Sequence, residues 1–560
     1  MKISIKQIKI VVVFNLVLLY SAFNFGIPAT AQETRSERIV EKPAVQQSPT
    51  PTPKPLVAPT VTPTPVPVPV QTVADLQVRI RSILARSDLR RGTVGIKINS
   101  LDTNKTIFEE NAEKYLMPAS NMKSYTVAAA LEKLSPDFRF TTSVFASSLP
   151  DGNGTVKGDL TIYGRGDVSF STAFYDGDYY KGLNALADKI AAAGVKRIEG
   201  NLIGDESYFT GSPLVESWEW GDLQWYYGAE VSALAINDNA VDLIVKPGAV
   251  NAPCAVQILP ANTIMKIVNR CQTVTAGAPR SIQVTKKLDQ NIVEIDGAIP
   301  ARDKGFEGYI AVSRPAQLFV EMLRGILIQK GIRITGQNKI VNAQEKLVSS
   351  IASTVAPVEI AKLESPPLSV LAAKTLKPSQ NTYTETILRA LGEQIGRKQE
   401  LISATDENSI KRLQQTASAE LGLKTVRSFL AQAGIADDSV VQWDGSGLSR
   451  HNLVTPASAV QLYIYMWRSR YAAAWRDALT IGAVDGTLRN RFKGTVAANN
   501  ARGKTGTIDQ VSSLSGYVTT AAGEQFVFTI IVNGVSNGGA RQSAIDEIVV
   551  ALANFNGKTD

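Results

Sequence analysis

The sequence predicts an α/β (α+β) fold in which an antiparallel sheet is flanked by helices and interrupted by a large inserted region. Three observations lead there. A helix and a β-hairpin open the body, and two apolar strand patterns with a closing helix end it, so the two ends supply parts of one sheet-and-helix unit. Between about 145 and 364 the pattern changes to short strand-like pieces, helices and many glycines. Within that stretch two segments look alike, as expected of helix-strand units that share a sheet.

Taken in order, Lys2, Lys6 and Lys9 precede a mostly apolar run from Ile10 to Ile27, and Ala29-Thr30-Ala31 offers small residues at the spacing a signal peptidase reads. Residues 1–31 therefore read as a secretory signal peptide, with an uncleaved membrane anchor as the alternative. Residues 32–75 form a Pro/Thr-rich linker: ten of the 26 prolines lie between Pro43 and Gln71, which favours an extended polyproline spacer. The body is then exported, to a periplasm or cell-wall space, and tethered to the membrane if the segment stays uncleaved.

Leu76 to Ser87 reads as an amphipathic helix, Thr93–Ile98 and Thr106–Glu109 as a hairpin, and Ala119–Leu134 as a buried helix. Near the other end, Ser512–Thr519 and Phe526–Val532 are strands and Gln542–Phe555 a helix. Residues 76–144 and 365–560 are thus expected to form one domain, and 145–245 with 305–364 an inserted one. In the insertion, Leu160–Tyr163, Leu202–Gly204, Val241–Val245 and Val293–Ile295 read as strands. Tyr180–Asp205 and Pro315–Val341 are the look-alike units, each a helix, a glycine (Gly194, Gly331), a basic residue among apolar ones and a second glycine (Gly200, Gly336). Residues 246–304 make a small, strand-rich nested domain holding Cys254 and Cys271, for which a disulfide and two buried thiols are both open.

Composition narrows the chemistry. One histidine and two cysteines cannot supply a zinc site of the all-Cys/His kind, so no metal or cofactor is expected. The charge excess of 59 − 51 = 8 is modest for 560 residues and gives no nucleic-acid signal. Chemistry falls to Ser, Thr, Lys, Asp, Glu or Asn.

Ser120-Asn121-Met122-Lys123 sets a hydroxyl and an amine one helical turn apart on one face. A lysine can take the serine proton only when neutral, and lowering its pKa from about 10.4 to near 7 costs roughly 4 kcal/mol, which requires burial or neighbouring positive charge. Alone, S-x-x-K is weak, with on the order of two chance matches in such a chain. Ser379-Gln380-Asn381 and Lys504-Thr505-Gly506-Thr507 follow, and a K-T-G arises by chance in about one such chain in ten. All three in this order, each at the edge of a helix or strand, are specific.

S-x-x-K, S-x-N and K-T-G in this order resemble the signature of penicillin-binding proteins and active-site serine β-lactamases. Met117-Pro118-Ala119-Ser120, Gly158-Asp159-Leu160, Gly204-Asp205-Glu206-Ser207, Asp444 to Arg450, Asp485-Gly486-Thr487-Leu488 and Leu514-Ser515-Gly516-Tyr517 resemble the D-alanyl-D-alanine carboxypeptidase/endopeptidase branch, the class C low-molecular-mass penicillin-binding proteins. That resemblance implies a penicillin-binding/β-lactamase-like serine transpeptidase domain. Ser120 would be the nucleophile toward peptidoglycan stem peptides and Lys123 its base. Ser379 would relay a proton to the leaving amine, and Asn381 would bind the substrate backbone. Lys504, Thr505, Gly506 and Thr507 would form the carboxylate-binding strand, with Lys504 also depressing Lys123. The N–H groups of Ser120 and Thr507 would make the oxyanion hole. β-Lactams would acylate Ser120 and leave slowly. Trimming of terminal D-Ala and cutting of crosslinks are both open, and a second copy of the chain is a candidate partner.

Two rivals are weighed against this. A β-lactamase would need a dedicated deacylation base, and no E-x-x-L-N stretch follows Ser379. A noncatalytic wall-binding protein would not need intact Ser120, Lys123, Asn381 and Lys504. Gly534-Val535-Ser536-Asn537-Gly538 fits G-x-S-x-G, but no histidine follows it, so a turn into the last helix is expected. Arg165-Gly166-Asp167 reads as a turn, and Trp218, Trp220, Trp225, Tyr226 and Tyr227 as packing between insertion and main domain, with a glycan-binding surface as the alternative. Asp444–Arg450 reads as a structural loop at least as readily as a substrate contact.

Overall fold

A computed structural model describes residues 70–349 and 356–559. The expected signal segment and nearly all of the linker lie outside the described residues. Helix α1 (Val73–Leu84) starts three residues before the expected Leu76 because Thr72 and Asp75 close a reciprocal capping box: the Asp75 N–H donates to Thr72 Oγ1 at 3.2 Å, and the Asp75 carboxylate accepts the Thr72 N–H at 2.8 Å. The hairpin follows as β1 (Thr93–Ser100) and β2 (Thr106–Glu110), and the buried helix as α2 (Met122–Leu134) behind a short 3₁₀ turn at Ala119–Asn121.

The second portion of the sheet comes after Glu110 only from Thr480 on, as β3 (Thr480–Ile481), β4 (Arg502–Ile508), β5 (Val511–Thr519) and β6 (Gln525–Asn533), with α3 (Asn381–Leu391) before it and α4 (Gly538–Asn554) after it. The six strands are antiparallel in the order β2-β1-β6-β5-β4-β3, with Thr93 opposite Asn533 and Lys504 opposite Ser515. Strand periodicity explains the layering. Alternate residues Phe526, Phe528, Ile530 and Val532 of β6 enter one apolar cluster with Ile545, Ile548 and Leu552 of α4, while Val527 and Ile531 enter another with Met122, Leu131 and Ile387 from α2 and α3. Helix α4 starts four residues before the expected Gln542 because Asn537 Oδ1 accepts the Ala540 N–H at 3.1 Å, a cap strong enough to carry Gly538 and Gly539 into the first turn. Asn537 belongs to the G-x-S-x-G match, which is therefore a helix entry.

The inserted stretch has an apolar cluster of its own, drawn from Val144 to Leu363. The look-alike units do share sheets. Helices Lys181–Ala192 and Pro315–Gln329 each end in a glycine of positive φ, Gly194 and Gly331. The strands that follow, Arg197–Ile198 with Arg333–Ile334, lie in one three-stranded parallel sheet, while Leu202–Asp205 and Asn338–Val341 pair in parallel in a five-stranded one. A Cβ on Gly336 would lie 2.4 Å from the Gly200 carbonyl carbon, so the second glycine of each unit marks close backbone approach. The Cys254–Cys271 disulfide joins the residue just before strand Ala255–Leu259 to the one just before strand Gln272–Val274, and both buried cysteines pack into the insertion's cluster. Among the described residues no helix is long and apolar enough to cross a membrane.

Candidate active site

The 3₁₀ turn before α2 sets the geometry. Ala119 holds φ = +49°, a left-handed conformation that costs an alanine about 1–2 kcal/mol, and it turns Ser120 to a partly exposed position at the helix start. Two glycines let the turn sit there. A Cβ on Gly447 would fall 1.9 Å from the Ala119 carbonyl oxygen, and one on Gly506 of β4 would fall 2.4 Å from the Pro118 carbonyl oxygen. The glycine of K-T-G is thus required by the approach of β4 to the Ser120 turn. Ser513 of the adjoining β5 ties the same turn down, donating to Pro118 O at 2.7 Å and accepting from Asn121 Nδ2 at 2.6 Å.

One turn along α2, Lys123 is wholly buried. Its Nζ lies 2.9 Å from Ser120 Oγ and donates to Asn381 Oδ1 at 2.6 Å and to the Ser446 carbonyl at 2.7 Å. A neutral amine has two N–H donors and one lone pair. The two acceptors take the donors, which leaves the lone pair to the Ser120 hydroxyl. Burial pulls the Lys123 pKa down to about 7, while the charges of Asp444 and Glu385 oppose it. Burial is thus the leading cause of the low Lys123 pKa, where the sequence pointed to the field of Lys504.

Asn381 begins α3 with its amide fixed at both ends, Oδ1 on Lys123 and Nδ2 on the Tyr227 carbonyl at 2.8 Å. Ser379, at φ = +65°, is partly exposed and accepts from Lys504 Nζ at 2.8 Å. Lys504 is itself buried and also donates to Thr505 O at 2.7 Å. Thr505 Oγ1 donates to Thr487 Oγ1 at 2.7 Å, Gly506 faces the nucleophile's turn, and Thr507 is exposed farther along β4. The structure therefore joins Ser120, Lys123 and Asn381 in one hydrogen-bonded group and Ser379 with Lys504 in another, and the two meet along the backbone at Ser379-Gln380-Asn381.

Several participants have roles that the sequence did not assign. Glu385, one turn after Asn381 on α3, accepts the Ser446 N–H at 2.7 Å and the Gly445 N–H at 3.1 Å, and so holds the carbonyl that Lys123 uses. Burial, with Asp444 nearby, raises its pKa to about 7. Asp444 is a buried hub that accepts from Trp218 Nε1 and Ser449 N at 2.8 Å, from Gly447 N at 2.7 Å and from Asn452 Nδ2 at 2.8 Å. Of the aromatic cluster, Trp218 is buried in this contact, whereas Trp220 is 77% exposed and does not pack as expected. For Glu385, the i, i+4 spacing from Asn381 was the signal that could have found it.

A serine hydroxyl beside a buried lysine whose pKa burial brings down to about 7 is suited to acyl transfer, and the class of protein it belongs to is the serine hydrolases. Residues 76–555 match the model of the D-Ala-D-Ala carboxypeptidase 3 (S13) family, and the chain belongs to that family of serine peptidases. A D-alanyl-D-alanine carboxypeptidase of Actinomadura sp. (strain R39) is 30% identical over 500 residues, covering 87% of this chain and 86% of the relative. The D-alanyl-D-alanine carboxypeptidase DacB of Haemophilus influenzae is 27% identical over 454 residues, covering 80% and 86%. The crystal structure of penicillin binding protein 4 from Haemophilus influenzae shares the fold, with a TM-score of 0.68 and 24% identity over 87% of this chain and 100% of that one.

Proposed function

We propose that this D-Ala-D-Ala carboxypeptidase works through an acyl-enzyme on Ser120, with Lys123 as base. The observation that carries this reading is the buried Nζ of Lys123, 2.9 Å from Ser120 Oγ and with both its other bonds directed to acceptors. Lys123 takes the hydroxyl proton as Oγ attacks the penultimate D-Ala carbonyl of a stem peptide. The N–H groups of Ser120 and Thr507 receive the oxyanion. As the C–N bond breaks, Ser379 gives its hydroxyl proton to the departing D-Ala amine and is reprotonated by the proton Lys123 took from Ser120, which returns Lys123 to its neutral form, and Asn381 aligns the peptide backbone. Water then adds to the ester carbonyl and returns the proton to Ser120 Oγ.

Lys504 is buried against Ser379 and Thr505, so its charge acts on the substrate carboxylate through Ser379 and the Thr505 and Thr507 hydroxyls. Lys504→Ala is expected to lower kcat/KM about tenfold more for a peptide with a free C-terminal carboxylate than for one extended past it, a difference of about 1.4 kcal/mol. Equal losses on the two substrates would contradict the role. The same bond joins D,D-crosslinks, so an endopeptidase activity draws on the same residues.

β-Lactams present a strained amide in place of the dipeptide and acylate Ser120. The two buried carboxylates nearest Lys123, Glu385 and Asp444, are occupied by N–H donors from the 444–452 loop, which favours slow deacylation over a β-lactamase's fast one. Residues 1–31 as an export signal and 32–75 as a spacer set this activity outside the cytoplasmic membrane, where peptidoglycan lies.

A further inference from the structure

We infer that Asp238, carried by the insertion, is a positioning residue for catalysis: its carboxylate holds Gln380 and Tyr383 and thereby fixes Ser379 and Asn381 beside the Ser120–Lys123 pair. The inference rests on the reading of Ser379 as proton relay. It starts from backbone strain. Asn237, Asp238 and Asn239 have φ of +47°, +61° and +55°, three consecutive left-handed residues without a glycine. Such a run persists only where its surroundings over-determine it, and it points to what the strain presents.

The surroundings are explicit. The Asn237 N–H donates to Phe170 O at 2.8 Å, Asn239 Oδ1 accepts the Ile236 N–H at 3.0 Å, Asn239 Nδ2 donates to Glu230 O at 2.7 Å, and Asn239 O accepts the Val312 N–H at 2.9 Å. What this turn presents is the buried Asp238 carboxylate. Its Oδ2 accepts from Gln380 Nε2 at 2.9 Å, and its Oδ1 accepts from Ser171 Oγ at 2.6 Å and from Tyr383 Oη. Gln380 is the residue before α3 and lies between Ser379 and Asn381; Tyr383 is in the first turn of that helix. A carboxylate at a helix N-terminus is also favoured by the helix dipole. Ser379, at φ = +65°, is strained in its own right, and its neighbour is clamped from the other side of the site by a residue 142 positions away. The Tyr227 carbonyl on Asn381 Nδ2 is a second hold from the insertion on the same three-residue motif.

A mispositioned Ser379 delivers its proton poorly, which matters when the leaving group is an amine and little when it is a thiolate that departs unprotonated. The test compares kcat/KM of the full chain on an acyl-D-Ala-D-Ala peptide and on the thioester of the same acyl group, for wild type, Ser379→Ala, Asp238→Ala and Asp238→Asn. Asp238→Ala is expected to lose about 100-fold on the amide and less than about tenfold on the thioester. Asp238→Asn is expected to recover to within about tenfold of wild type on the amide, because the amide oxygen can take the place of Oδ2 toward Gln380 while the Ser171 and Tyr383 hydroxyls can turn to accept from the amide nitrogen. Should Asp238→Ala fail to fold, Gln380→Met, which removes only the donor at equal length, is expected to show the same amide-over-thioester loss. If Ser379→Ala shows the split while Asp238→Ala or its Gln380→Met substitute loses equally on both substrates, the inference is overturned and the relay reading stands. If Ser379→Ala shows no split, the relay reading fails and takes the inference with it.

Discussion

Replacing Lys123 by methionine is expected to slow acylation of Ser120 by about 10³-fold, within the range a general base contributes. Methionine matches the buried stem in length and bulk but has no lone pair for the hydroxyl proton. The wild-type enzyme should acylate faster as pH rises, because only the neutral amine accepts a proton and burial sets its pKa at about 7. Below that value Lys123 is protonated, and the rate should fall about tenfold per pH unit. Time courses of acyl-enzyme formation with a β-lactam, from about pH 5 to about pH 9, read both effects. The acid limb should be present in wild type and lost in Lys123→Met. A wild-type rate flat through neutral pH would contradict the assignment of the base.

Asp444→Ala should be the most destabilising of the single changes considered, by about 3–5 kcal/mol. The carboxylate receives four N–H donors, from Trp218, Gly447, Ser449 and Asn452, in a site only 1% exposed. Alanine leaves the Trp218, Gly447 and Ser449 N–H groups without this acceptor, while Asn452 Nδ2 keeps only its bond to Ser449 O at 2.9 Å, and each orphaned donor costs about 1–3 kcal/mol. Asparagine is a poor substitute, since its NH₂ must face at least one donor. Denaturant unfolding measures the loss, and a change below about 1 kcal/mol, ordinary for a surface substitution, would show that the hub is not what holds the loop. Because Ser446 lies in that loop and offers its carbonyl to Lys123, activity should fall with stability.

Most of the sheet was legible because its strands are short β-type runs bounded by turn residues: Ser512–Thr519 and Phe526–Val532 were read within one residue at each end of β5 and β6. Helix starts were read late wherever a cap did the work, at Thr72 and Asn537. The catalytic motifs were legible because their chemistry resides in side chains at fixed spacing. What supports them was not. The Ser446 and Tyr227 carbonyls act through backbone, which any residue type supplies. Asp444 sits among glycines and serines and so reads as turn chemistry. Asp238 reaches Gln380 across 142 positions, a distance no local pattern spans. The pKa of Lys123 is set by a burial that no spacing of residues reveals.

The most direct measurement is the intact mass of the protein after incubation with benzylpenicillin, with Ser120→Ala treated alongside. Ser120 is partly exposed and gives no side-chain cap to its helix, so the variant should fold with little loss of stability. The account predicts a lasting adduct of one penicilloyl group on the wild type and none on Ser120→Ala. An adduct that persists in the variant, or no adduct on the wild type while the penicillin survives, would contradict it.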